Sequence, residues 1–148
     1  MPDDTFAEVE RETLRRLAHY TRSIDSKDWS ALTEVFAPEC VKQRLGLNGL
    51  SGEVDVSGGE AIIADIAKGL GGGGATQHFL GNHGDEAESL TYVRAFHRGA
   101  GQKRELSLEV MGEYIVGWNR RPDGWRAVRW CLRIIDSLGD PDAVRPSA

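Results

Sequence analysis

What most constrains the fold of this chain is a change of hydrophobic period along its length. From Thr5 to Ile24, Phe6, Val9, Leu14, Leu17, Thr21 and Ile24 recur at three- and four-residue spacing, which is one face of an amphipathic helix. From Thr76 onward the chain turns strand-like, in the stretches Thr76–His83, Ser89–Arg98, Glu105–Asn119 and Trp125–Ile135. Arg121-Pro-Asp-Gly124 joins the last two as a tight hairpin, with Pro at the second position and Gly at the fourth. Helices followed by consecutive hairpins do not alternate as βαβ units do. The pattern predicts an α+β fold, a curved antiparallel sheet wrapped around N-terminal helices. Such a cone has an apolar interior suited to a small molecule.

Between these halves, Trp29, Leu32, Val35 and Phe36 predict a short helix over Asp28–Ala37, closed by Pro38. Val41, Gln43, Leu45 and Leu47 alternate with polar or small residues as a first strand, and Asn48–Gly59 is turn-rich. Ile62, Ile63, Ile66 and Leu70 mark a third helix over Glu60–Leu70. The glycines 71–74 that follow do not open a helix and lack a phosphate loop's Lys-Ser/Thr, so they read as a connection. At 148 residues the chain is expected to be one domain, with its core over about residues 6–135 and an irregular tail over 136–148.

Charge and motif content exclude several classes of function. A formal net charge of −5 and the absence of a basic stripe argue against a nucleic-acid partner. No apolar run reaches the roughly 20 residues needed to span a bilayer, and the acidic start Met1-Pro-Asp-Asp is unlike a signal peptide. A cytoplasmic protein with no membrane partner is expected. Cys40 and Cys131 have no metal-ligand spacing and read as buried thiols. His78 and His83, five residues apart on a strand, fall on opposite faces and cannot chelate one ion there. Nucleotide fingerprints and nucleophile elbows are missing too, so the expected chemistry is acid–base and free of cofactors.

Two residues suit that chemistry. Asp25 lies at the end of the first helix, beside Trp29, and is either a helix-stop residue facing water or a carboxylate held at the edge of the core. His78, between Gln77 and Phe79, is either a hydrogen-bonded core histidine or a base. An Asp that orients and charges a His makes a compact general base. His19 is expected to be solvated, His83 exposed at a hairpin, and Tyr20 to lie on a neighbouring edge of the helix.

Several segments together resemble a known family. They are Tyr20-x-x-x-x-Asp25-x-x-Asp-Trp29-x-x-Leu32-x-x-x-Phe36-Ala37-Pro38, Thr76-Gln-His78-x-x-x-Asn82, Tyr92-Val-x-Ala-x-His97-Arg98-Gly99, Gly112-Glu-Tyr114 and Asp123-Gly-Trp125-Arg126. The resemblance is to SnoaL-like proteins of the nuclear-transport-factor-2-like superfamily, over roughly Phe6–Ile135. It implies the cone fold; for function it is less specific, because that fold hosts dehydratases, isomerases, polyketide cyclases, hydrolases and binding proteins.

In scytalone dehydratase, the bile-acid dehydratases and hexachlorocyclohexane dehydrochlorinase, an Asp ending the first helix pairs with a strand His. Asp25 and His78 fall on those positions. Tyr20 resembles the tyrosine five residues before the Asp in the bile-acid dehydratases, where the dehydrochlorinase has a lysine. His97 is similar to a second active-site histidine of scytalone dehydratase, and the resemblance implies a pocket arginine on the last strand, Arg129 ahead of Arg133.

The resulting expectation is a cofactor-independent dehydratase or isomerase for a small apolar cyclic metabolite of polyketide, steroid or terpenoid type. The alternatives are a non-catalytic binding protein and an epoxide hydrolase or cyclase. The last needs a second carboxylate, for which the strands offer Glu105, Glu109 and Glu113. A convex sheet face carrying Trp130 and Ile134 would need a cover, so a homodimer or homotrimer is expected.

Overall fold

The computed structural model describes residues 5–45, 54–81 and 88–145. Helix α1 (Phe6–Asp25) opens with a capping box: Thr5 accepts from the Glu8 backbone N–H, and the Glu8 carboxylate accepts from the Thr5 N–H. Its core face carries Thr13, Leu17, Tyr20, Thr21 and Ile24, whereas Phe6 and Leu14 are exposed. The predicted helix is present, with its buried stripe rotated towards Tyr20.

A Schellman motif ends α1. The Asp28 N–H reaches the Ser23 carbonyl, and the Lys27 N–H reaches that of Ile24. Lys27 occupies the left-handed region at φ 57°, usually a glycine position, and its ammonium is bonded to the Gly73 carbonyl. The end of α1 is thereby tied to the glycine run. Trp29–Glu34 then forms a 3₁₀ helix, shorter than the predicted segment, because β1 (Phe36–Leu45) begins before Pro38.

Strands β2 (Val54–Ser57), β3 (Thr76–Gly81), β4 (Glu88–Arg98), β5 (Ser107–Arg121) and β6 (Gly124–Gly139) complete one curved, unclosed six-stranded sheet in the order β2-β1-β6-β5-β4-β3. Helix α2 (Gly59–Leu70) lies between β2 and β3 in the chain. The strands from Thr76 pair antiparallel throughout, as predicted, and the hairpin falls at Pro122-Asp123. β1 joins β6 in parallel, so the sheet is mixed. His83 and Asn82, and residues 48–53 of the turn-rich Asn48–Gly59 stretch, lie outside the described residues.

Two expectations change here. Past Ile135, β6 runs on to Gly139 and pairs Asp136–Gly139 with Leu108–Met111; Pro141–Ala143 then form a 3₁₀ turn. The long β5 supplies a partner edge there, which outweighs the breaker-rich composition; Gly139, at φ 107°, turns the chain. Ile134, on the wall of the inner cavity, is not on the convex face, and neither is Trp130. Trp130 is 1% exposed and packs against Tyr20 at a ring-centroid distance of 4.4 Å, against Tyr114 at 5.1 Å and against Phe36 at 5.2 Å. Ring contacts of this kind contribute about 0.5–1.5 kcal/mol each beyond area burial. The large apolar side chains exposed on the outside of the sheet are instead Phe79, Leu90, Tyr92, Ile135 and Leu138.

Candidate active site

The inner face of the sheet, Tyr20 of α1 and the second half of α2 form the wall of a cavity of about 380 Å³; the wall includes His78, His97, Tyr114 and Trp130. Alternation sets this up: Thr76, His78 and Leu80 of β3 turn inward, while Gln77, Phe79 and Gly81 turn out. Thr76 and His78, two residues apart on one face, meet the end of α1 together.

There the Asp25 carboxylate is held at three points. Its Oδ1 accepts from the Thr76 hydroxyl at 2.8 Å and lies 2.7 Å from His78 Nδ1, while Oδ2 accepts from the His78 backbone N–H at 3.1 Å. The His78 side chain is only 5% exposed and that of Asp25 25%. A carboxylate can only accept, so the neutral imidazole carries its proton on Nδ1 and leaves Nε2 as the acceptor. Burial pushes the Asp25 carboxyl up, but the bonds from the His78 ring, Thr76 and the His78 backbone outweigh it, and its pKa falls below the ordinary 3.8.

His97 packs edge-on to His78 at 5.9 Å between ring centroids. Its Nδ1 lies 3.3 Å from the Leu108 carbonyl, which places the proton of the neutral ring on Nδ1. Burial, then the neighbouring His78, depress its pKa below 6.5 against the pull of Leu108 and Asp25. Tyr20 is a core residue, 6% exposed, edge-to-face with Tyr114 at 5.6 Å. Burial, followed by the hydrogen-bonded Tyr20, raises the Tyr114 phenol well above 10, so it stays protonated.

Arg129 does not reach this cavity. It follows the β6 alternation opposite Trp130 and holds Gln43 at 2.9 Å and Glu88 at 2.8 Å on the outer face. Arg133 is engaged there by Glu113, and Arg94 by Glu109. The strand carboxylates Glu109 and Glu113 therefore face away from the cavity, and the Glu105 side chain is 86% exposed. His19, expected in solvent, contacts the Ala31 carbonyl at 2.9 Å.

Sequence reasoning missed Thr76 and Tyr114 as site residues, and also Lys42, Asp65 and Val144 on the same wall. The two-residue step from His78 was the available signal for Thr76. A larger cleft of about 900 Å³ lies between the start of α2 and the β5–β6 hairpin, but its arginines, Arg121 and Arg126, are taken by Glu39 and Asp123. Among the described residues, no three His, Cys, Asp or Glu side chains are grouped to hold a metal ion.

Residues 6–131 match the SnoaL-like domain family. The chain belongs to that family. No curated protein matches its sequence. Solved structures share the SnoaL-like, nuclear-transport-factor-2-like fold over most of their length. A proposed aromatic ring hydroxylase from Novosphingobium aromaticivorans superposes with a TM-score of 0.78 at 20% identity, covering 96% of this chain and 100% of that one. A proposed scytalone dehydratase from the same organism gives 0.74 at 18% identity, over 88% and 86%. A hexachlorocyclohexane dehydrochlorinase from Novosphingobium barchaimii gives 0.71 at 11%, over 93% and 94%. At these identities the likeness establishes the fold alone. No helix among the described residues is long and apolar enough to cross a membrane.

Proposed function

We propose that this SnoaL-like protein is a cofactor-independent lyase or isomerase of dehydratase type, acting on a small, largely apolar cyclic ketone or hydroxyketone. The observation that carries this reading is the 2.7 Å contact of Asp25 Oδ1 with His78 Nδ1 at the wall of the cavity. Nε2 of His78 abstracts a proton next to the substrate carbonyl, and Asp25 stabilises the imidazolium that forms. The Tyr114 hydroxyl, kept protonated by burial and hydrogen-bonded to Tyr20, donates to the developing enolate oxygen. Neutral His97, with Nε2 as its acceptor, takes part in moving the proton to a departing hydroxyl or to the ring carbon. Loss of water and proton relocation are two exits from one enolate, so a single site serves both. Dehydratase and dehydrochlorinase chemistry among the structural neighbours is in keeping with this.

A binding protein of this fold needs the cavity but not the Asp–His contact, and an epoxide hydrolase needs a free second carboxylate. On the described wall of the cavity the carboxylate is Asp65, and it is engaged by Lys42 at 3.1 Å. The test is proton exchange: cyclic ketones and β-hydroxyketones are incubated with the protein in D₂O and followed by NMR. Deuterium should enter next to the carbonyl, or water should be lost. Asp25→Asn and His78→Ala should each abolish this by about 10²–10⁴-fold, the usual range for general acid–base catalysis. No exchange above background in the unaltered protein would leave only the binding-protein reading, and exchange that survives both substitutions would rule out Asp25 and His78 as the base. We also infer a homodimer or homotrimer through the outer sheet face around Phe79, Tyr92 and Ile135. Light scattering showing a monomer at high micromolar concentration would contradict it.

A further inference from the structure

One cavity residue has no part in that chemistry. Lys42 of β1 pairs in parallel register with Trp130 of β6, so its side chain leaves the sheet on the same, inward side. It is the one lysine or arginine on the described wall of the cavity, and its side chain is 10% exposed. Ile66, Leu70, Trp130 and Leu132 are its neighbours on that wall. Burying an ammonium among such groups is costly unless it is paired, and a wall that only had to be filled would be better served by Met or Leu.

The pairing is incomplete. Asp65 of α2 accepts one bond at 3.1 Å, and the other two ammonium hydrogens have no partner among the described residues. The Asp65 side chain is itself 45% exposed, so water can solvate it when it is displaced. This is a buried donor with spare hydrogens, joined to a partner it can release.

We propose that Lys42 binds an anionic oxygen of the substrate, either a carboxylate substituent or an ionised enol, and that Asp65 holds the ammonium in place until substrate enters. The inference rests on the reading of the cavity as the substrate site, and it narrows the ligand to an apolar ring compound with an acidic oxygen. It does not depend on what Asp25 and His78 do to the bound molecule.

Calorimetry on the full chain tests it with matched probes. For a carboxylate the pair is 2-naphthoate and neutral 2-naphthamide; for an ionised enol it is 2,4-dinitrophenolate and 2,4-dinitroanisole. At least one anion should bind about tenfold or more tighter than its neutral partner, as expected for a buried charge-assisted bond. The anion that shows the preference identifies the oxygen. Lys42→Met should reduce the preference to within about twofold, Lys42→Arg should retain it, and Asp65→Asn should tighten anion binding. Asp25→Asn should leave the preference intact while proton exchange is lost, which separates this proposal from the acid–base reading. Equal affinity for anion and neutral probe, no saturable binding of either anion, or a preference that persists in Lys42→Met would overturn it.

Discussion

The two faces of the same sheet use acidic and basic side chains in opposite ways. On the outside, Arg94–Glu109 joins the neighbouring strands β4 and β5, and Arg129–Glu88 reaches from β6 across β5 to β4, with both partners of each pair partly or largely open to water. Pairs of this kind gain little, because water and salt screen them. On the inside, the His78 ring is withdrawn from water, and the partly covered Asp25 carboxylate has further bonds from Thr76 and the His78 backbone. A charge kept there acts on its neighbours with little screening. Outer pairs hold strands together at small net gain; the inner pair can polarise an imidazole.

The largest expected effect breaks the inner pair. The double substitution Asp25→Asn, His78→Ala should be little worse in proton exchange than either single one, since the two act as a unit. Additive losses would mean that the residues act separately. Next in size is the aromatic packing on the cavity wall. Trp130→Ala should destabilise the fold by about 3–5 kcal/mol in chemical denaturation, because it empties the space between Tyr20, Tyr114 and Phe36.

Acid should sharpen the contrast between the faces. The folded pKa of His97 lies below 6.5, so the unfolded chain binds a proton that the folded chain refuses; stability is lost as pH falls below 6.5 and levels off below the folded value. Asp25 has a depressed pKa, and the stability it contributes is present above 3.8 and lost as pH falls through its lower folded value. Thermal unfolding across pH should show both steps, with His97→Gln removing the first and Asp25→Asn the second. The smallest effect is expected outside. Arg129→Ala should cost at most about 1 kcal/mol, fade with added salt and leave exchange within about twofold. A large loss of exchange would bring Arg129 back to the site.

Much of the fold was legible because period and turn chemistry are local. The helix α1, the hairpin at Pro122-Asp123 and the antiparallel order from Thr76 follow from them. Parallel pairing of β1 with β6, and the late course of β6, depend on which distant edge is free, and no local pattern carries that. For the candidate site, spacing alone left Asp25 open as a helix-stop residue, and the family resemblance paired it with His78; the structure shows what holds the carboxylate. An acidic residue in the last turn of a helix opposes the helix dipole by about 0.3–1 kcal/mol, and here the bonds from Thr76 and His78 offset it. Lys42 stayed hidden because it occupies the polar half of an alternating strand, and only the register with Trp130 shows that this half faces in. Arg129 was misplaced by the same ambiguity of facing.

The central claim is that Asp25 fixes the His78 ring with its proton on Nδ1 and Nε2 turned to the substrate. Long-range ¹H–¹⁵N correlation spectra of the histidine rings test this directly, recorded well above the ordinary histidine pKa of about 6.5 so that the neutral form is seen. The account predicts the Nδ1–H tautomer for His78, with a strongly deshielded ring proton that disappears in Asp25→Ala. An Nε2–H tautomer in the unaltered protein, or a spectrum unchanged by Asp25→Ala, would contradict it.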